Sequence, residues 1–192
     1  MIYFTSDQHF GDQDILRHAK RPFSDSRSGM TDCAKVMYEL YQDTVSDKDV
    51  VVFLGDVALV NGRNRDVFRE LLCSLKGTKI LTLGNHDKMD RQYYRDCGFT
   101  DIRDYFVVQR HFVCHYPCVS DGTPKERLCR AAFENSNCNE IWHGHLHEKE
   151  SPASDGVKRH NMCVDYVPNR FRPVLVTEPE ITDFFEKFRR FR

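Results

Sequence analysis

The segment KILTLGNHD (79–87) carries a short apolar run straight into a glycine, an amide, an imidazole and a carboxylate. A run of this length bounded by a turn signal reads as a buried strand. The groups that follow it are hydrogen-bonding and titratable, chosen for chemistry and not for packing. The same pattern recurs along the chain. IYF (2–4) leads to Asp7-Gln8-His9, VVVFL (50–54) to Gly55-Asp56, YFVVQRHFVC (105–114) to His115, and EIW (140–142) to His143-Gly144-His145-Leu146-His147. RPVLV (172–176) reads as one more strand.

Helical stretches lie between these runs. Residues 31–45 place Ala34, Met37, Leu40, Tyr41 and Val45 on one face, and residues 64–77 gather Val67, Phe68, Leu71, Leu72 and Leu75 behind Asn64, with Gly77 as the stop. Thr123, Pro124 and Glu126 have the spacing of a capping box with proline at the first helical position. Phe184, Phe185, Phe188 and Phe191 predict a terminal helix over about 178–191 with its aromatic face on the core. Residues 148–160 read as a long loop. Strand alternating with helix argues for an α/β fold, and 192 residues suit one domain, 1–192.

Composition bounds the function. With 28 basic against 29 acidic side chains the net charge is -1, so no global basic field announces nucleic-acid binding, although it leaves nucleic acid open as a partner. No run approaches the roughly 18 apolar residues of a membrane span. Eight cysteines without a CxxC pair, and no recognisable signal peptide, point to free thiols in a reducing cytoplasm. Either a monomer or a homodimer fits the chain.

Open α/β sheets bind ligands at the carboxyl ends of their strands. Asp7, His9, Asp56, Asn85, His115, His145 and His147, scattered over some 140 positions, are therefore expected to converge. In extended chain, residues i and i+2 point the same way, so Asp7 pairs with His9, and His145 with His147. A glycine before Asp56, Asn85 and His145 permits close backbone approach. Imidazole with carboxylate suits Mn, Fe, Zn or Ni better than an all-oxygen ion site. Seven groups exceed the needs of one four-coordinate ion, whereas two ions sharing a carboxylate would use them all.

As an ordered set, DxH at 7–9, GD at 55–56, GNHD at 84–87, a single histidine at 115 and GHLH at 144–147 resemble the calcineurin-like metallophosphoesterases. The resemblance implies a four-layer αββα sandwich of two mixed β-sheets flanked by helices, with two divalent metal ions at the sheet ends. Mn is the foremost expectation, with Fe, Zn, Ni or Mg as alternatives. One ion would take Asp7, His9, Asp56 and His147, the other Asp56, Asn85, His115 and His145, with Asp56 bridging. His86 matches the family's catalytic histidine, Asp87 is expected to orient it, and His143 falls outside the ligand set.

The implied activity is hydrolysis of a phosphate ester by in-line attack of a metal-activated hydroxide, on a diester in preference to a monoester. A monoesterase or nucleotidase, a nuclease, and a non-catalytic metal-binding scaffold are the alternatives. GDVALVNGR from Gly55 lacks the GDxVDRG pattern of the protein phosphatases in this superfamily. SDQHFGDQDI followed by RPF, Val164-Asp165 and Arg172-Pro173-Val174 looks instead like a small bacterial and phage branch, in which Asp12 and Asp14 stand where that branch commonly has His and Asn. Arg17, His18, Arg21, Arg63 and Arg65 are read as surface groups, with contact to a substrate phosphate as the alternative.

Overall fold

The computed structural model describes the chain apart from residues 121, 153, 154, 167 and 190–192. The strands in chain order are β1 (Ile2–Thr5), β2 (Val50–Phe53), β3 (Thr78–Thr82), β4 (Phe99–Arg103), β5 (Tyr105–Val108), β6 (His111–Cys114), β7 (Glu140–His143), β8 (Lys158–Asn161) and β9 (Val174–Leu175). They pair into two sheets, ordered β4-β3-β2-β1-β9 and β5-β6-β7-β8. Strands β1 to β4 are mutually parallel with β9 antiparallel at the edge, and β6 to β8 are parallel with β5 antiparallel. Both sheets are therefore mixed, as expected.

Period-two alternation sorts each strand's side chains into layers. Tyr3, Val51, Phe53 and Leu81 face one way and pack with Cys33, Met37 and Tyr41 of helix α2 (Arg27–Thr44), Leu72 of α3 (Arg65–Ser74), and Tyr93 and Tyr94 of α4 (Arg91–Asp96). Their neighbours Ile2, Phe4, Val50, Val52 and Ile80 face the other way and meet Phe106, Val108, Val113 and Trp142 of the second sheet. On that sheet's far side Phe112, Cys114 and Ile141 pack against Cys129 and Phe133 of α5 (Pro124–Glu134). Helix, sheet, sheet, helix is the four-layer sandwich that the resemblance implies. Helix α6 (Pro179–Glu186) closes one side of the sandwich, with Phe185 edge-on to both Phe4 and Phe106.

Several boundaries differ from expectation. The run 105–114 is a hairpin, β5 and β6, because Gln109 takes φ 53 and turns the chain. The stretch read as a loop contains β8, whose KRHN sequence is too polar to show as a strand. The segment 172–176 contributes only the two residues of β9. Helix α2 begins four residues early, where Ser26 accepts a hydrogen bond from the Gly29 amide. The terminal helix ends at Glu186, and Phe191 lies outside the described residues. At α5 the cap forms as read, with the Thr123 hydroxyl accepting from the Glu126 amide. All eight cysteines are free thiols. Among the described residues no helix is long and apolar enough to cross a membrane.

A candidate metal centre at the strand ends

Each candidate ligand follows the C-terminal end of a parallel strand: Asp7 and His9 after β1, Asp56 after β2, Asn85 after β3, His115 after β6, and His145 and His147 after β7. The two sheets meet there. Ser6 bridges Cys163, just past β8, and the Val164 amide donates to the Ser6 carbonyl at 3.0 Å. The loops after β1 and β2 are likewise laced, Asp7 N to Gly55 O and His9 N to Asp56 O, both 3.0 Å. Asp7, His9, Asp56, His145 and His147 all take positive φ, between 51 and 70. Left-handed backbone is a sparsely populated state costing about 1–3 kcal/mol per residue, held only where its surroundings fix it.

Two glycines make the close approach possible. A Cβ on Gly84 would stand 2.1 Å from Asp56 Oδ1, and one on Gly144 would stand 2.0 Å from Ser6 Oγ and 2.3 Å from Asp7 Oδ2. Neither needs a left-handed conformation. The requirement is space for a carboxylate.

The donor atoms point inward. Asp7 Oδ1 lies 3.8 Å from both His9 Nε2 and His147 Nε2, and Asp56 Oδ2 lies 3.6 Å from His9 Nε2 and 3.3 Å from His115 Nε2. Asn85 Oδ1 is 3.2 Å from His115 Nε2. Asp7, His9 and His147 form one compact triad and Asp7, Asp56 and His115 another. The His145 ring lies edge-on to His115 at 5.1 Å and belongs to neither triad.

The opposite faces of five of these ligands are anchored. His115 Nδ1–H donates to the Leu54 carbonyl at 2.7 Å, His147 Nδ1–H to Asp165 at 2.7 Å, and His9 Nδ1–H to Asp12 at 3.2 Å. Since those partners accept, each ring turns Nε2 to the centre, where it can ligate a metal once it is free of a proton, the arrangement by which an outer acceptor orients a metal-binding imidazole. Asp7 Oδ2 accepts from Ser6 Oγ, the His145 amide and Cys163 Sγ, and Asp56 Oδ1 accepts from the His86 amide. What remains is telling. Asp7 Oδ1 and His9 Nε2 are buried without a hydrogen-bond partner. Orphaned buried polar atoms are rare and costly, and here the two stand 3.8 Å apart in a cluster of oxygen and nitrogen donors whose need a proton or a metal cation can meet. The donor set fits divalent metal.

Electrostatics agree. Burial alone would lower the basicity of His115, but the charges of Asp56 and Asp7 outweigh it and hold the imidazolium up to about 10. Burial likewise opposes the His9 imidazolium, yet hydrogen bonds to Asp12 and Asp7 and the nearby carboxylate charges lift it to about 9. Burial opposes ionisation of Asp56, and His115 and His9 pull its pKa down to about 2. In the metal-free protein, protons stand in for cations.

Other expected roles change. Asp87 does not reach the His86 ring. It is buried, and its carboxylate accepts from the Gly84 and Asp56 amides at 2.8 Å and from Val57 N at 3.2 Å, so it pins the second and third loops together. His86 itself is half-buried at the rim, its ring 4.9 Å from that of His9. Arg21 is neither a surface group nor a phosphate contact. It is buried, clamps Asp165 at 2.7 and 3.0 Å, and donates to the Asp7 and Gln8 carbonyls. Arg17, His18, Arg63 and Arg65 are exposed. His143 hydrogen-bonds Gly144 O and Ser151 Oγ away from the centre, and burial lowers its pKa to about 4. Asp12, Asp165, Arg21 and Cys163 are the supporting groups that motif reading passed over as ligands' partners; the signals for them were Asp12 at a departure from the branch pattern, Arg21 in its RPF segment and the Val164-Asp165 pair.

A segment of 92 residues, 48% of this chain and 49% of the other, is 36% identical to an uncharacterised protein of Methanocaldococcus jannaschii, so this match spans about half of that relative. Over 166 residues, 77% of this chain and 79% of the other, it is 27% identical to the gene 66 protein of Mycobacterium phage D29. A protein of unknown function from Aquifex aeolicus has the same fold, with a TM-score of 0.71 at 23% identity over 96% of this chain and 98% of that one. The family model for calcineurin-like phosphoesterases matches residues 1–149, a span containing every candidate ligand. The chain belongs to the calcineurin-like phosphoesterase family.

Proposed function

We propose that residues 1–192 form one metal-dependent phosphoesterase domain that hydrolyses phosphodiesters. The observation that carries the reading is the pair of partnerless buried atoms, Asp7 Oδ1 and His9 Nε2, set among five further donors at the strand ends. Asp7, His9, Asp56 and His147 would hold one ion, and Asp56, Asn85, His115 and His145 the other. When bound, two such ions supply Lewis acidity at phosphorus and a nucleophile deprotonated near neutral pH. The chain's own groups do the rest. Asp56 presents Oδ2 between His9 and His115, the position for a shared carboxylate. His86 stands at the rim, where its imidazole can hand a proton to the departing ester oxygen. Arg21, one of five sequence candidates for contact with a substrate phosphate, is spent on Asp165.

Metal-free protein supplied in turn with Mn, Fe, Zn, Ni or Mg tests this on bis-nitrophenyl and mono-nitrophenyl phosphate. Turnover of the diester with at least one ion is expected, Mn foremost, with the monoester slower. His86→Ala should keep both ions and lose roughly 10²–10⁴-fold in rate on a dialkyl diester, whose departing oxygen needs the proton, and far less on the nitrophenyl esters. Two bound ions with no turnover of either ester would leave a metal-binding scaffold. Loss of metal in His86→Ala would reassign that residue.

A further inference from the structure

Beside the proposed centre, and resting on the phosphodiesterase reading, lies a groove that nothing above has used. A cavity of about 480 Å³ starts at Asn85 and runs between the loop after β3 and the N-terminal turn of α5. This is within the range of about 300–1,000 Å³ found for small-molecule sites. Its walls include Leu83, Met89, Tyr116 and Pro124. Tyr116, fully buried behind the groove, sits edge-on to His115 at 4.8 Å and to His145 at 5.2 Å, so the groove borders the rings proposed to hold the second ion.

Five charged side chains line the groove, Asp87, Lys88, Asp90, Arg91 and Lys125. Its two carboxylates are turned onto backbone amides, Asp87 onto Gly84 and Asp56, and Asp90 onto Tyr93 as the cap of α4. Of its cations, Arg91 is paired with Asp104, and Lys125 donates to the Gly84 carbonyl at 2.7 Å, fixing the loop that carries Asn85 and His86. Lys88 stands exposed at the groove with no acid or carbonyl partner among the described residues. An uncharged or purely apolar occupant would leave that ammonium unused.

We propose that this groove binds the arm of the substrate beyond the scissile phosphate, and that this arm joins an apolar or planar group to a second anion, as in a nucleotide carrying a further phosphate. Met89 and Pro124 take the planar part, and Lys88 takes the second anion. Binding energy from such a remote part is a recognised source of rate and selectivity.

Three esters that release the same nitrophenolate separate the contributions: methyl nitrophenyl phosphate, thymidine 5′-nitrophenyl phosphate, and the thymidine ester with an added 3′-phosphate. In Mn-loaded protein kcat/KM should rise at each step, by about tenfold for the added phosphate, an effect of about 1.4 kcal/mol. Lys88→Glu should abolish the last step while keeping the gain from methyl to thymidine. Calorimetry of thymidine 3′,5′-bisphosphate against thymidine 5′-phosphate gives a readout independent of turnover, and Lys88→Glu should remove the difference. Equal kcat/KM for the thymidine ester and its 3′-phosphate, or an advantage unchanged in Lys88→Glu, overturns the groove while leaving the phosphodiesterase reading intact. Lys88-dependent binding of the bisphosphate with no turnover of any ester would instead support the groove and overturn the activity.

Discussion

His9 and His115 show how far single residues are committed to a cation. Each imidazole donates from Nδ1 to a fixed acceptor and turns Nε2 toward carboxylates, and each holds its proton up to about 9 and about 10 in the metal-free protein. A ligating imidazole must be neutral, so metal has to displace those protons. At pH 7 both rings are protonated, and calorimetric titration with Mn in buffers of different ionisation enthalpy should report close to two protons released. Apparent affinity should climb as pH rises toward 9, by up to about tenfold per unit for each proton displaced. The sign for stability runs the other way. With folded pKa values above the ordinary histidine value, these pairs stabilise the metal-free fold fully below about pH 6.5, and the contribution fades as pH passes through 9 to 10. No proton release at pH 7 would mean that the rings are already neutral.

Elements set those residues by tying distant loops together, and the tie that matters most is the one motif reading passed over. Arg21, in the segment between α1 (Asp14–His18) and α2, fills both donor edges at once, with Asp165 on one side and the Asp7 and Gln8 carbonyls on the other. Asp165 then orients His147. Breaking a buried pair by removing one partner costs about 3–5 kcal/mol, and loss of an outer partner typically weakens metal binding about 10–100-fold. Arg21→Ala should show both effects, in denaturant unfolding and in Mn titration, whereas Arg69→Ala, which loses an exposed 3.1 Å pair with Asp66, should change stability by less than about 1 kcal/mol and metal binding not at all. Equal effects would remove the Arg21 clamp from the account. The strand ends themselves were legible because an apolar run that stops at Gly-Asp or Gly-Asn-His is a local signal. The clamp was not, because Arg21, Asp12 and Asp165 lie in polar loops where no period or spacing separates a buried partner from a solvated charge. The same lack of contrast hid β8, whose KRHN reads as surface.

At the scale of the molecule the two sheets are held by different means at their two ends. Between them lies an apolar layer in which Phe4 packs edge-on to Trp142 at 5.4 Å and to Phe185 of α6 at 5.6 Å. At the other end the first sheet supplies Asp7, His9, Asp56 and Asn85, and the second supplies His115, His145 and His147. There the sheets touch through polar contacts, Ser6 with Cys163 and Val164, the His145 amide with Asp7, and His115 with the Leu54 carbonyl, set on backbone held in the left-handed conformation. Cations shared between the two sets would therefore act as a cross-link between sheets. The apolar layer does not depend on them, so metal-free protein should stay folded, with native near-ultraviolet circular dichroism. Ions that bind only the native state stabilise it by about 2.7 kcal/mol per site at a hundredfold excess over Kd. A chain of this size should then gain about 5–10 °C in Tm for each site filled. Mn added to chelator-treated protein should produce that rise. In His115→Ala, which takes a ligand from the second sheet and leaves the first sheet's set complete, a smaller rise is expected. An equal rise in that variant would remove His115 from the ligand set.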